Sequence, residues 1–133
     1  MKSTSPNIPV FSAVKASGGW SFDIHPRVAP NPDDVVVTKR RTSACMGTDL
    51  EIILRSNGID TLIMCGINTS GVVLSSVRHA ADSDFRILVI RDCCSDPDES
   101  VHACLVEKIF PRQATVITSD ILAGILRPQT TSA

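Results

Sequence analysis

The sequence predicts an α/β fold in which a parallel sheet is flanked by helices, and three observations lead to it. From Asp34 onward a short β-branched apolar run, a polar turn and a segment with apolar residues at helical spacing follow one another repeatedly, the signature of βαβ units. The apolar runs are continuous rather than alternating, as expected of strands covered on both faces. The helical segments between them carry start and stop signals, so sheet and helices form packed layers.

Strands are expected at Val35 to Thr38, Thr61 to Cys65, Arg86 to Ile90 and Ala114 to Thr118. The first helix is expected to begin at Thr48-Asp49-Leu50-Glu51, where a threonine cap and a glutamate three residues later can satisfy two backbone donors reciprocally. Gly58 ends it. Val72, Val73, Val77, Ala80 and Ala81 form the apolar stripe of the second helix. Asp96 as cap, Pro97 at the first helical position and Glu99 in an acidic first turn open the third, which Phe110-Pro111 closes.

Residues 1–34 read as an irregular stretch with one strand, Ile8 to Val14, followed by Gly18-Gly19 and the prolines 26, 30 and 32. A single domain over 1–133 is expected, with a βα core over 35–126 and a polar tail over 127–133. A hydrophobic content of 43% in 133 residues suffices for one core. Thirteen basic against 14 acidic side chains, net charge -1, argue against nucleic acid or anionic membrane as partners.

The N-terminus carries no apolar stretch long enough for a signal peptide or a membrane span, so a soluble, cytoplasmic protein is expected. Cysteines 45, 65, 93, 94 and 104 are odd in number and lack CxxC spacing, which indicates neither a disulfide framework nor a zinc site and fits a reducing compartment. No metal and no cofactor is expected. The partner class is a small-molecule substrate or ligand, with a homo-oligomer as the expected assembly; the sparsely charged face from Val72 to Ala81 suits core or subunit interface equally.

In open parallel sheets ligands bind beyond the carboxyl ends of the strands. Two loops there stand out, Lys39-Arg40-Arg41 and Gly66-Ile67-Asn68-Thr69-Ser70-Gly71, the second leading directly into a helix whose first amides make an anion or oxyanion site. The lysine after a strand followed by Ser43-Ala44 and Gly47-Thr48-Asp49-Leu50, and the Gly66-Ile67-x-Thr69 turn entering a helix with Ala80-Ala81-Asp82, resemble the isochorismatase-like cysteine hydrolase family. His25-Pro26 with Pro30 adds to the resemblance, which covers roughly Asp23 to Ile121.

The resemblance implies a three-layer αβα, Rossmann-like sandwich with a mostly parallel sheet. It also implies a catalytic aspartate ending the first strand, a lysine after the third, and a cysteine at the start of the helix after the fourth. Lys39 matches the lysine, whose charge would lower a neighbouring nucleophile's pKa or hold a substrate carboxylate. Val72 occupies the cysteine position and supplies a backbone N–H but no nucleophile. Nothing before Lys39 matches the Asp-x-Gln or Asp-x-Asn motif, and Ile8 to Val14 resembles the family's second strand, so the first strand is expected to be missing. Its neighbours would then pair directly, borrow a strand or lose stability, each unpaired buried backbone group costing about 1 to 3 kcal/mol.

On this reading the chain is an isochorismatase-like hydrolase homologue for a small carboxylate or an amide or vinyl-ether substrate. Lys39 is the catalytic candidate, and Asn68, Thr69, Ser70, Gly71 and Val72 are the candidate binding turn. The resemblance further implies a cis peptide after Ile67, turning the amides of Asn68 and Val72 toward the ligand. Amide hydrolysis lacks its thiolate; vinyl-ether hydrolysis, which needs none, lacks its acid. The alternatives are a non-catalytic small-acid-binding or interaction module, and a portion of a longer enzyme.

Other nucleophiles read as structural. Cys65, Cys45 and Cys104 are expected in the packing, and so are Cys93 and Cys94, although a helix start beside that pair could lower a thiol pKa and make a substitute nucleophile. The hydroxyls of Thr69 and Ser70 are expected to cap their helix. His79 lies about 13 Å along that helix from Ser70, too far to act as its base. His25 and His102 have no metal-ligand company.

Overall fold

The computed structural model describes residues 24–127, and contacts divide the chain into two units, Met1–Val36 and Val37–Ala133. The strand expected at Ile8 to Val14 lies outside the described residues. Within the first unit Pro26–Val28 makes one 3-10 turn, entered by His25, whose Nδ1 accepts the Arg27 amide at 3.2 Å.

In the second unit three strands form one parallel sheet in the order β1 (Thr61–Ile67), β2 (Arg86–Ser95) and β3 (Thr115–Ile117). Thr61 faces Arg86 and Met64 faces Val89 across the first pair; Leu88 faces Thr115 across the second. All three lie where the β-branched runs predict them, β1 and β2 running further toward their carboxyl ends.

The fourth expected strand, Val35 to Thr38, is not formed. Val35 and Val36 are 63% and 60% exposed, and no ladder engages the segment among the described residues. β-branched residues favour extended backbone, but a strand also needs a partner for its amides and carbonyls.

Helix α1 (Leu50–Ser56) precedes β1 and stops at Gly58, whose φ of +66° and amide bond to the Arg55 carbonyl match the expected glycine ending. The reciprocal cap at its start is absent. Asp49 is the capping residue without a side-chain bond, Thr48 Oγ1 accepts the Leu50 amide at 3.4 Å, and Glu51 reaches across to His79 Nε2 at 3.1 Å. The carboxylate bonds a ring on a neighbouring helix instead of its own backbone.

After β1, a π-helical turn (Thr69–Val73) runs into α2 (Leu74–Asp82). Val73, Val77 and Ala80 are buried on its stripe, with Val72 and Ala81 packed against them, as the spacing predicts. They meet Ile87 and Val89 of β2 and then Leu105, Val106 and Phe110, which follow α3 (Glu99–Cys104) through a π turn (Leu105–Ile109) and a closing 3-10 turn (Phe110–Arg112). Phe110 is buried, so the Phe-Pro ending also anchors the core. Helix α4 (Ser119–Leu126) follows β3, capped by Thr118, whose hydroxyl accepts the Ile121 amide.

Three further expectations are corrected. Asp98, not Asp96, caps α3, accepting the amides of Ser100 at 2.9 Å and Val101 at 3.2 Å. Cys104 is exposed because the next two residues, Leu105 and Val106, take the buried face of the helix. Finally, β1 alternates between exposed and half-buried positions. Among the described residues it is an edge strand, and with Ile63 at 49% and Ile67 at 63% exposed one of its faces is covered rather than two; Cys65 is exposed with them.

Candidate functional site

Where β1 ends, Gly66 adopts φ +141°, a backbone region that side-chain-bearing residues rarely enter. The Ile67-Asn68 peptide is cis, and Asn68 then caps the following turn in extended conformation. The Asn68 carbonyl accepts the amides of Gly71 at 3.1 Å and Val73 at 3.3 Å, closing residues 68–73 into one unit. Asn68, Thr69, Ser70, Gly71 and Val72 are therefore brought together on a single turn, at the carboxyl end of the sheet where a ligand is expected.

The loop after β2 supplies the neighbours. Met64 faces Val89 but Gly66 faces Cys94, so β2 bulges over residues 90–93 before rejoining the ladder. This carries Asp96 to the turn, where its Oδ2 accepts the Ser70 amide at 2.7 Å. Burial opposes ionisation of Asp96, but hydrogen bonds from Ser70 and from the Asp98 amide win and hold its carboxyl below the ordinary range. The helix-start amide expected to receive a ligand anion is thus bonded to the chain's own carboxylate.

Thr69 is fully buried, and its hydroxyl lies 2.9 Å from His102 Nδ1 on α3. This pair has the spacing of a nucleophile and its base, but a hydroxyl without exposure meets no substrate; it fastens the turn to α3. Neither hydroxyl of the turn makes the expected cap, that place being held by Asn68. His102, which has no signal in the sequence, is drawn in by this contact, and with Cys94, Ser95, Asp96, Pro97 and Glu99 it lines a cleft of about 400 Å³. A larger hollow of about 590 Å³, lined by Thr61, Arg86 and Thr115 among others, lies at the amino ends of the strands. The smaller cleft is the candidate because it adjoins the turn at the carboxyl ends.

Lys39 is exposed, and its ammonium donates to the Arg41 carbonyl at 2.6 Å. Among the described residues no hydrogen bond links it to the 68–72 turn. Its loop is nevertheless anchored close by, because the Ala44 amide donates to Ser76 Oγ on the first turn of α2 at 3.1 Å. Val72 packs partly against the core, so its side chain offers no chemistry. Cys94 is buried, and that burial pushes its thiol upward, away from the thiolate a substitute nucleophile requires. Burial first, and then Glu51, raises Cys45 in the same way. Among the described residues no group of three His, Cys, Asp or Glu side chains is arranged to hold a metal ion.

Within the bulge, Asp92 bonds the start of α4, accepting the Ser119 amide at 2.8 Å and its hydroxyl at 2.5 Å. These bonds hold the Asp92 carboxyl below its usual range. They fix β2 to the helix after β3 and leave Asp92 with a structural task.

A strand-turn-helix with a cis peptide at this point, in a parallel sheet, can be compared with known proteins. The family model of the isochorismatase domain matches residues 4–121. The chain belongs to the isochorismatase family. An uncharacterized isochorismatase family protein of Escherichia coli O157:H7 is 39% identical over 93 residues, 69% of this chain and 50% of that protein. Maleamate amidohydrolase of Pseudomonas putida is 33% identical over 91 residues, 68% of this chain and 43% of its own. The solved structure of an isochorismatase family protein from Burkholderia thailandensis superposes with a TM-score of 0.69 at 34% identity, covering 71% of this chain and 50% of that one. The chain spans about half the length of the curated relatives it matches. Among the described residues no helix is long and apolar enough to cross a membrane.

Proposed function

We propose that this chain is an isochorismatase-family hydrolase homologue whose 66–73 turn and adjoining cleft receive a small carboxylate-bearing amide or vinyl ether. The observation that carries this reading is the turn itself, since Gly66 at φ +141° and the buried Thr69 set it beside Asp96 and His102, to which it is bonded and which line the cleft, in a chain of this family. A relative named maleamate amidohydrolase supports the small-amide class. Lys39, whose loop is anchored to α2, supplies the positive charge for a substrate carboxylate.

The two chemistries make different demands. Amide cleavage requires a nucleophile that Val72 does not carry. Vinyl-ether cleavage requires protonation of the enol carbon and addition of water, with no covalent intermediate. Asp96 and His102 are the titratable groups bonded to the turn, and Asp96, held ionised, has no proton to donate. The vinyl-ether reaction is the better fit because it needs no nucleophile, with His102 as the group left to serve as its acid.

The second reading is a non-catalytic small-acid-binding or interaction module. It is favoured by one observation, the Asp96 carboxylate on the Ser70 amide.

The test is chromatographic detection of product after incubating the purified protein with isochorismate and with a panel of small amides, beside a Lys39→Ala variant. Turnover abolished by the variant supports the hydrolase. Folded protein without turnover removes the catalytic reading and leaves the binding module.

A further inference from the structure

Cys65 on β1 and Cys93 on β2 each immediately precede a member of one ladder pair. Gly66 and Cys94 are ladder partners, and Cys94 packs in the core on the face where Gly66 approaches Val73. Cys65 and Cys93 stand one position earlier on each strand, Cys93 as the last residue of the bulge, and both are exposed where Cys94 is buried. Where Gly66 faces Cys94 the strands run about 4.8 Å apart, and a disulfide spans about 4.4 to 6.8 Å between Cα atoms. The two thiols also feel one another: partial burial of its sulfur, although the residue is exposed, and then the charge of Cys93 raise the Cys65 thiol.

We infer that Cys65 and Cys93 form an oxidisable dithiol, a modification site at which a low-molecular-weight disulfide such as oxidised glutathione installs a cross-strand bond directly beneath the 66–73 turn. One protein thiolate attacks the glutathione disulfide, giving a mixed disulfide and releasing one glutathione thiolate. The second protein thiolate then attacks the protein sulfur of that mixed disulfide and releases the other glutathione. Two protein thiols are oxidised, one glutathione disulfide is reduced to two thiols, and the two protons pass to solvent or to the departing thiolates. The raised thiol makes the exchange faster at alkaline than at neutral pH.

The test uses the whole chain, reduced and then incubated with oxidised glutathione, alkylated, and digested with trypsin without reductant. Cleavage after Arg55, Arg78, Arg91 and Lys108 places Cys65 in peptide 56–78 and Cys93, Cys94 and Cys104 in peptide 92–108. The expected product is these two peptides joined, two hydrogens lighter than their sum, from protein that migrates as a monomer on a non-reducing gel. The link should vanish in Cys65→Ser and Cys93→Ser and persist in Cys104→Ser. Fragment spectra of the linked wild-type peptides separate Cys93 from the buried Cys94 without a core substitution. Folded protein that yields only mixed disulfides, a link that survives in Cys93→Ser, or a link confined to dimers overturns the inference.

Discussion

The Ser70 amide donates to the Asp96 carboxylate at 2.7 Å, joining the turn after β1 to the loop after β2 across 26 residues of sequence. The bond places a negative charge at the entry to α2, where free amides favour one, and it fixes the wall of the candidate cleft. Removing it tests both its structural weight and its competition with ligand. Asp96→Ala is expected to destabilise the fold by about 1 to 2 kcal/mol, measured by urea denaturation. On the small-acid reading, the same variant binds the acid more tightly than the parent chain, measured by titration calorimetry; unchanged or weaker binding would show that the amide is not part of the ligand site.

Acid should unfold this protein through a small set of aspartates. Hydrogen bonds from Ser119 hold Asp92 below its ordinary range, and those from Ser100 and Val101 do the same to Asp98. Asp96 joins them, its hydrogen bonds outweighing its burial. A carboxyl with a depressed folded pKa contributes stability that is complete above the unfolded value, about 3.9 for Asp, and lost as pH falls through the folded value. Thermal midpoints should therefore be level with respect to these groups above about pH 5 and drop below about pH 4. In Asp92→Asn the drop should be shallower, and a profile identical to that of the parent chain would count against the Ser119 contact.

Glycine does two different things in this chain. At Gly66 an added Cβ would meet nothing closer than Val73 Cγ2 at 4.0 Å, yet φ is +141°, so the constraint is in the backbone and not in the space. Gly66→Ala should cost about 1 to 3 kcal/mol. Gly124 lies inside α4 with open space around it, and Gly124→Ala should stabilise by about 0.5 to 1 kcal/mol through a less flexible unfolded chain. Chemical denaturation of both variants should give opposite signs; equal signs would contradict the assigned backbone at one of the two positions.

Burial sets the scale for aliphatic truncations. Val77 is 1% exposed at the centre of the core, and Val77→Ala should cost about 2 kcal/mol. Ile52 on α1 is 70% exposed, and Ile52→Ala should stay within about 0.5 kcal/mol of the parent. Comparable losses at both sites would mean that the outer face of α1 is covered in solution.

Thr69 separates packing from hydrogen bonding. Thr69→Val keeps the buried volume and removes only the bond to His102, so a loss of about 1 to 2 kcal/mol is expected. A silent substitution would remove His102 from the description of the turn.

Much of the architecture is encoded by residues adjacent in sequence. The runs at 61–65, 86–90 and 114–118 become β1, β2 and β3, and Val73, Val77 and Ala80 become the buried stripe of α2, because period and β-branching act within a few residues. Gly58 ends α1, and the turn entering α2 lies where the Gly66 to Gly71 segment predicts it, for the same reason. The chain's sequence alone thus determined its family, its parallel sheet and the position of its candidate turn.

What the turn touches was decided only by the tertiary structure. Glu51 pairs with His79 across 28 residues instead of capping its own helix, and His102 reaches Thr69 across 33. Among the described residues Val35 to Thr38 carries a strand's residues without a strand's partner, and Cys65 is exposed on the uncovered face of β1. Propensity is a property of neighbours along the chain. The choice of a carboxylate's donor or a strand's partner depends on which distant groups the register and the bulge in β2 bring within about 3 Å, and no local pattern specifies that.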